Sequence, residues 1–418
     1  MRSALVLYLQ SHWVVGVALC GLLLMLMYVG NLLWQHPPGP VYVYMADLVS
    51  TKQLSEAVYA DAQFSRDLLA FSQGVANDPY SPNPPSTALI VWVIGLHRSL
   101  RGPIWVVLNL LLLCAVLVLS GRAIDLKWSR TIVVGALALL GFVLSPVLTE
   151  DLQRGQIYLL LAMLHALLLW SVTRQHDGFG AIALAGLILL KMNGWPIWLT
   201  LIALKRWRLL TYALGLTVLG GVMHAYWFGI GMWQTYFLEV LPRWLRAPWL
   251  VATAYQTVSS FCLRLLQFDL TWNPYPLVNA PGLARGVGYT CTLALLCATL
   301  LRARSLPAYY AVCSASVLSV ILSPTAEQYH FLILLPAVML LIADAIHQPT
   351  RDVFLLLLAL VLLSRFVPFK TERFAEGGWA LLAYPRLYAA LIVNGLCMSG
   401  KCVRHDQHDQ HDQIDGDG

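Results

Sequence analysis

The sequence predicts an all-α membrane protein with many transmembrane helices, and three observations support this. The chain has 418 residues, of which 59% are hydrophobic and only 11% are charged, whereas soluble domains carry about 25% charged residues. Its mean hydropathy of +0.68 is too high for a chain folded in water. Apolar runs near the length of about 20 residues that crosses a bilayer recur along it. We therefore expect a polytopic protein of about 10 to 12 helices, at least one of them broken or re-entrant.

The apolar runs place the helices in order. The first, near 12–34, is longer than the core of a signal peptide and lacks a small-x-small cleavage site, so we interpret it as the first transmembrane helix. The run 86–97 is too short to cross alone, and 179–204 is long but interrupted by LLKMNGWP. The other predicted spans lie near 103–121, 131–149, 156–173, 208–230, 283–301, 306–322, 330–346, 352–368 and 378–398.

Basic residues predict the orientation. The densest cluster, LKRWRLL at 204–210, is expected in the cytoplasm by the positive-inside rule, as is GRAIDLKWSR at 121–130. Following the helices from there places LTEDLQRGQ, 148–156, on the extracytoplasmic face. The orientation of 86–121 stays open, because RSLRGP within it is also basic.

We predict a single membrane domain over 1–400, interrupted by large extracytoplasmic loops at about 35–85 and 231–282. Loops longer than about 12–15 residues are usually functional or disordered. Both loops carry aromatic and amphipathic segments, so we expect short helices lying on the membrane face. Residues 401–418 include the repeat RHDQHDQHDQ, which predicts a disordered tail, or alternatively a weak metal-binding tract.

No motif predicts a cofactor. The eight cysteines show no CxxC pair and no metal-ligand spacing, so we expect neither a disulfide framework nor a metal site. No Walker motif or dinucleotide fingerprint is present, and we expect no nucleic-acid partner.

Polar residues stand at the mouth of the helix predicted to begin near 155. Glu150 and Asp151 could bind an acceptor or a metal, act as a catalytic base, or favour the helix dipole as its N-terminal turn. Arg154 and Gln156 could hold phosphate and sugar, although Arg154 could instead snorkel to the interface. A carboxylate can take a proton in a group-transfer reaction, and a cation or a hydrogen-bond donor can hold a phosphate.

Lys191 is a cation inside an apolar segment, where it costs about 2.5–3.5 kcal/mol on insertion scales. Such a residue usually faces a cavity or a partner. Asn193, Gly194 and Pro196 follow it and break the helix, so we predict that Lys191 lies at a re-entrant tip as a phosphate ligand, with Asn193 beside it. The alternative is an ordinary interfacial turn. His330 begins another apolar run, and a lone histidine in such a position is often a capped, structural residue.

Several segments in order resemble glycosyltransferase family 87 of the GT-C superfamily, over nearly the whole chain up to about residue 345. They are VYVYMADLV, VYADAQF, PYSPNPPSTAL, RGQIYLLL, GLILLKMNGWPIWL, AYQTVSSFCLRLL and LSPTAEQYHFLILLP. The resemblance implies a GT-C-like fold in a bacterial inner membrane, with the active site on the extracytoplasmic face. It also implies substrate contacts by Gln256 and Arg264 in the AYQ segment and contact of His330 with a lipid phosphate.

The resemblance implies a membrane enzyme that moves a hexose, by resemblance mannose, from a polyprenyl-phosphate donor to a lipid or glycan acceptor with inversion. One departure leaves the base open. The catalytic aspartate of the family precedes its first-loop segment, where this chain has Gly39 or Pro40. The nearest acid is Asp47, so Asp47 or another acid serves, or the activity is altered or lost.

Two other classes of function remain open at this stage. A broken helix with Lys191 near its break is typical of substrate sites in transporters, so a transporter or flippase is one alternative. A catalytically degenerate family member is the other. Convergence of the carboxylates of Asp47, Glu150 and Asp151 with Arg154, Lys191 and His330 in one extracytoplasmic cavity open to lipid would favour the transferase.

Overall fold

The computed structural model describes residues 15–21, 23, 24, 27, 84, 86, 101–153, 156–347, 351–364, 366, 367, 369, 374 and 376–400. Several predicted features lie outside these residues. They are Asp47, Arg154, the position of Gly39 and Pro40, nearly all of the first large loop, and the tail 401–418.

The described residues confirm the all-α fold class. They contain no strand, and their one isolated β-bridge joins Asp269 to Asn273. The α-helices are α1 Arg101–Ala123, α2 Trp128–Val143, α3 Pro146–Gln153, α4 Tyr158–Arg174, α5 Asp177–Lys191, α6 Trp195–Ala203, α7 Trp207–Phe228, α8 Gly231–Thr235, α9 Leu241–Leu245, α10 Val258–Leu266, α11 Pro281–Ala303, α12 Ala308–Ile321, α13 Leu335–His347, α14 Arg351–Leu363 and α15 Pro385–Ser399. A π-helix, Tyr236–Val240, and 3₁₀ helices at Pro248–Val251, Gln328–Leu334 and Gly377–Ala383 complete the order.

Several of these helices could cross a bilayer. Within the described part of the chain, Trp207–Tyr226, Pro281–Ala303 and Gln328–His347 are each long and apolar enough. Two pairs of helices that are bent against each other would raise the number to 5 if each pair is one span. This agrees with the predicted polytopic membrane protein. The pairs are Trp128–Val143 with Pro146–Leu152, bent by 80°, and Gly377–Ala383 with Pro385–Ser399, bent by 52°.

The burial pattern separates the centre of the bundle from its surface. Every side chain from Tyr310 to Ile321 in α12 is buried. In the segment Gln328–His347, 83% of an apolar stretch of 18 residues is buried as well. In contrast, only 22% of the corresponding apolar stretch in α7 and 17% of the one in α11 are buried. The rest of these two apolar helices faces outward. Exposed apolar helix faces of this extent are expected where lipid replaces water.

The predicted span 131–149 is in fact two helices. α2 ends at Val143, and α3 starts at Pro146, whose nitrogen cannot donate to the preceding turn. The Ser145 hydroxyl donates to the carbonyl of Leu363 over 2.6 Å and accepts from the Val147 N–H over 3.2 Å, which fixes the bend. The two acids Glu150 and Asp151 therefore stand on a short separate helix rather than in the first turn of α4.

The predicted break after Lys191 is confirmed. α5 ends at Lys191, and the next residues include Met192 with φ 50° and Gly194 with φ 95°, which turn the chain back. α6 then begins at Trp195 with Pro196 in its first turn, where the missing N–H does no harm. Since Arg206 pairs with Asp177 over 2.9 Å, the end of α6 returns to the start of α5. The two helices form a hairpin with Lys191 at its tip.

Basic turns meet at the other end of the bundle from this tip. Arg174 at the end of α4 pairs with Asp125 in the turn after α1, and Arg130 contacts His347 over 3.0 Å. The helices α4 and α5 have 17 and 15 residues, so their far ends lie about 22–26 Å away. We call this the basic end and define it by Arg122, Lys127, Arg130, Arg174, Lys205 and Arg206.

Candidate active site

Asp151 ties α3 to the start of α4. Its side chain is completely buried, and its Oδ1 accepts the Tyr158 N–H over 3.1 Å. Its backbone carbonyl accepts the Gln156 N–H over 2.9 Å. The other oxygen, Oδ2, has no hydrogen-bond partner among the described residues. Asp151 thus satisfies an N–H at the start of α4, which would otherwise lack a partner within the helix.

The ring of Tyr158 contacts both a cation and a histidine. The Nζ atom of Lys191 is 5.3 Å from the centroid of this ring, and the His330 ring centroid is 4.1 Å from it on a tilted plane. Lys191 also interacts electrostatically with Asp151. The tip of the α5–α6 hairpin and the segment that carries His330 therefore meet on the first residue of α4.

His330 is held in one orientation by its own turn. Its Nδ1 accepts the Glu327 N–H over 3.1 Å, and the Glu327 side chain in turn accepts the His330 N–H. Because a backbone N–H can only donate, Nδ1 must be the acceptor, and in a neutral imidazole the proton is then on Nε2. The structural role that the sequence left open for His330 is present, and it leaves an N–H on the other ring nitrogen.

Glu150 contacts the same 3₁₀ helix from the side. Its Oε1 accepts the Nε2–H of Gln328 over 2.9 Å, and its side chain is partly exposed whereas Asp151 is not. The structure therefore brings together the following residues, which we call the polar cluster: Glu150, Asp151, Tyr158, Lys191, Gln328 and His330.

The sequence profile of glycosyltransferase family 87 matches residues 82–324, more than half of the chain. The chain belongs to glycosyltransferase family 87. The predicted family is confirmed, and the protein is an enzyme, a membrane glycosyltransferase. No curated protein and no solved structure matches the chain.

The region that matches the family profile includes some residues of the polar cluster and excludes others. It includes Glu150, Asp151, Tyr158 and Lys191, and it ends before His330. The first-loop segments that resembled the family also lie outside it. The contribution of His330 to the site consequently depends on its contact with Tyr158 rather than on the family match.

Two predicted binding residues lie close to the polar cluster with other contacts. Gln156 is buried in the turn between α3 and α4, where its backbone N–H is bound by Asp151. Asn193 is two residues beyond Lys191, but its side chain interacts with His165 on α4, inside the bundle. His165 in turn contacts Ser316 of α12 through Nδ1 over 2.9 Å. Asn193 therefore links the hairpin tip to the core.

Gln256 is completely buried, and its side-chain amide forms hydrogen bonds with three backbone groups. Its Nε2 donates to the carbonyls of Thr253 and Ala383 over 2.6 and 2.8 Å. Its Oε1 accepts the Arg386 N–H over 3.1 Å. These bonds connect the segment before α10 with the start of α15, so the geometry describes a structural tie at this position.

Arg264 lies on α10 and is 3% exposed. Its Nη1 donates to the Trp272 carbonyl over 2.5 Å, which closes the turn that follows α10. Burial lowers the pKa of its guanidinium, and the nearby Tyr384 opposes that effect. The contact with Trp272 ties Arg264 to the second loop.

One charged residue of the site was missed from the sequence. Arg386 is 1% exposed at the start of α15 and interacts electrostatically with Glu150. The signal was present, since Arg386 is a cation inside the predicted span 378–398, the same feature that singled out Lys191. It lies beyond the segments that resembled the family, and for that reason it was passed over.

Proposed function

We propose that this family 87 enzyme transfers a hexose, mannose by resemblance, from a polyprenyl-phosphate donor to an extracytoplasmic lipid or glycan acceptor with inversion. One observation carries the proposal. Lys191 and His330, from separate segments, contact the same Tyr158 ring beside Glu150 and Asp151. This combination supplies both charges that the reaction needs, a cation for the phosphate and a carboxylate for the proton.

The phosphate would be held by Lys191 and His330. The ammonium of Lys191 supplies positive charge, and the Nε2–H of His330 supplies a donor for a phosphate oxygen. As the sugar leaves, charge builds on the bridging phosphate oxygen, and fixed positive groups there stabilise the transition state. The polyprenyl chain stays in the bilayer throughout.

The proton would be taken by a carboxylate. In a single displacement the acceptor oxygen attacks C1 of the sugar, the C1–O bond to phosphate breaks, and polyprenyl phosphate leaves with the electron pair. The acceptor proton moves to the base. Glu150 suits this role better than Asp151, because Asp151 is completely buried and holds the Tyr158 N–H at the start of α4. Asp47, outside the described residues, is the third candidate.

The sugar hydroxyls have acceptors available to them. Asp151 Oδ2 and Gln328 Oε1 are both buried and have no hydrogen-bond partner among the described residues. Buried polar atoms in native proteins are almost always hydrogen-bonded. Hydroxyl groups, which donate, are the partners that such oxygens lack.

The location of the polar cluster favours the extracytoplasmic face. It occupies the ends of α4 and α5 opposite Arg174 and Asp177, and Arg174 belongs to the basic end. The positive-inside rule puts the basic end in the cytoplasm, by resemblance that of a bacterium. Secondary transporters hold their substrates near the midplane of the bilayer, so this placement favours a transferase over a transporter or flippase.

A donor screen on membranes tests the proposal. Membranes with and without the protein are incubated with labelled polyprenyl-phosphate mannose, the glucose and galactose analogues, and nucleotide-linked mannose as a comparison. We expect protein-dependent transfer from a polyprenyl-phosphate sugar into lipid or glycan. Transfer only from the nucleotide-linked sugar, or none from any polyprenyl donor, would contradict it.

A further inference from the structure

Arg386 has more hydrogen-bonding capacity than its surroundings use. Its guanidinium is buried, with Nη2 3.4 Å from the Ser364 carbonyl and the Phe369 ring centroid 4.0 Å from Cζ. Its Nε and Nη1 atoms have no hydrogen-bond partner among the described residues. A buried cation whose donors are unused is strongly unfavourable, unless an anion completes the site.

The backbone of Arg386 is joined to the polar cluster by a short chain of hydrogen bonds. Its N–H donates to Gln256 Oε1 over 3.1 Å, and the Gln256 N–H donates to the Ala326 carbonyl over 2.8 Å. The residue after Ala326 is Glu327, which orients His330. The guanidinium itself interacts electrostatically with Glu150, a member of the cluster.

We propose that Arg386 is a second phosphate-binding cation of the site, acting together with Lys191 on the phosphate of the prenyl-linked donor. The inference rests on the proposed function, because it takes the same donor. Arginine suits this role since its planar guanidinium presents several donors in a fixed arrangement that matches phosphate oxygens. The phosphate would supply the missing acceptors for Nε and Nη1, and it would add a negative charge to that of Glu150.

A competing explanation is that Arg386 only neutralises Glu150. The two explanations differ in what removal of Glu150 does. If Arg386 merely balances that carboxylate, phosphate binding lost in Arg386→Gln returns when Glu150→Gln is added, because the uncompensated negative charge is gone. If Arg386 contacts the phosphate, the double variant stays weak.

Binding to the purified full chain in nanodiscs tests this, with farnesyl phosphate, inorganic phosphate and farnesol as probes. We expect Arg386→Gln to weaken farnesyl phosphate binding about tenfold or more, as for the loss of a charge-assisted hydrogen bond. Binding of farnesol should not change. Inorganic phosphate should compete with farnesyl phosphate for the wild type, and it should compete less well for Arg386→Gln. This comparison separates the contribution of the phosphate from that of the lipid chain.

Two variants keep the test independent of folding. Arg386→Lys retains the charge and should bind farnesyl phosphate better than Arg386→Gln does. The control Arg206→Gln removes a partly buried arginine of the basic end that pairs with Asp177, and it should bind all probes like the wild type. Circular dichroism and gel filtration identify any variant that does not fold.

Three results would overturn the inference. Equal farnesyl phosphate affinity in the wild type and Arg386→Gln would show that Arg386 does not touch the phosphate. Restored binding in the variant that also carries Glu150→Gln would assign Arg386 to charge balance. Failure of the wild type to bind any phosphate probe would reject the proposed donor class and this inference with it, whereas the first two results leave the proposed function standing.

Discussion

The Lys191 ammonium lies 5.3 Å from the centroid of the Tyr158 ring, so a cation at the tip of a helical hairpin rests on the first residue of another helix. A contact of this kind is worth about 0.5–2 kcal/mol, depending on how far it is removed from water. The same ring contacts His330. Tyr158 thereby fixes the separation of two groups that we assign to one phosphate.

Separate replacement of the carboxylates distinguishes catalysis from helix capping. Glu150→Gln should lower the transfer rate about 100-fold or more, the contribution of a general base, because the amide cannot take the acceptor proton. Asp151→Ala should lower the stability by about 1 kcal/mol, because the Tyr158 N–H loses its acceptor. Melting temperature and single-turnover rate are measured for both variants.

Asp47→Asn completes the comparison of candidate bases. If Glu150 is the base, Asp47→Asn retains transfer at a measurable fraction of the wild-type rate. Wild-type rates in Glu150→Gln together with loss of transfer in Asp47→Asn would assign the base to Asp47 and remove Glu150 from that role.

Gly194→Ala should disturb the hairpin tip. The backbone of Gly194 has φ 95°, where a side chain costs about 1–2 kcal/mol, and relief of that strain would move Lys191. We expect a lower melting temperature and a higher KM for the donor. The matched control is Gly221→Ala in α7, where an added Cβ meets nothing within 4 Å. This substitution should leave the KM at the wild-type value and the melting temperature at or above it.

Gln256→Leu should lower the stability of the fold. It leaves the Thr253 and Ala383 carbonyls and the Arg386 N–H without their partner, at about 1–3 kcal/mol for each buried group. The melting temperature should fall clearly, while the exposed Gln234→Leu should not change it. A stable Gln256→Leu variant with a raised KM for donor or acceptor would restore the substrate contact that the family resemblance implied.

Cysteine labelling tests the orientation. In a chain without its native cysteines, Tyr275→Cys replaces an exposed side chain. The backbone carbonyl of Tyr275 accepts the N–H of Gly377, the first residue of the 3₁₀ helix that precedes α15. Lys205→Cys lies at the basic end. An impermeant maleimide should label Tyr275→Cys in intact cells and Lys205→Cys only after permeabilisation. The reverse pattern would put the polar cluster in the cytoplasm.

Much of this architecture is visible in the sequence, because apolar runs and helix breakers act locally. The break after Lys191 is encoded by Asn193, Gly194 and Pro196, and the structure has it where the prediction put it. The bend at Ser145 was missed although Pro146 signals it. A proline in an apolar run can begin a helix or kink one, and only the hydrogen bond of Ser145 to the distant Leu363 decides between them.

The site was harder to predict, because its contacts join residues far apart in the chain. Residue types and the family resemblance selected Glu150, Asp151, Lys191 and His330, but no pattern indicates that Lys191 and His330 meet on the ring of Tyr158. Arg386 is a cation inside a predicted span, which marks it in the sequence, but its relation to Glu150 exists only in the folded chain. Gln256 shows the converse, because a polar residue in a family segment can be fully used by backbone groups.

The most direct test of the central claim is the rate of sugar transfer from a polyprenyl-phosphate donor by purified wild type, Lys191→Ala and Arg154→Ala. Lys205→Ala at the basic end serves as the charge-matched control. We predict that Lys191→Ala and Arg154→Ala abolish transfer while remaining folded and that Lys205→Ala transfers at the wild-type rate. Full activity of Lys191→Ala and Arg154→Ala in the same assay would contradict the account.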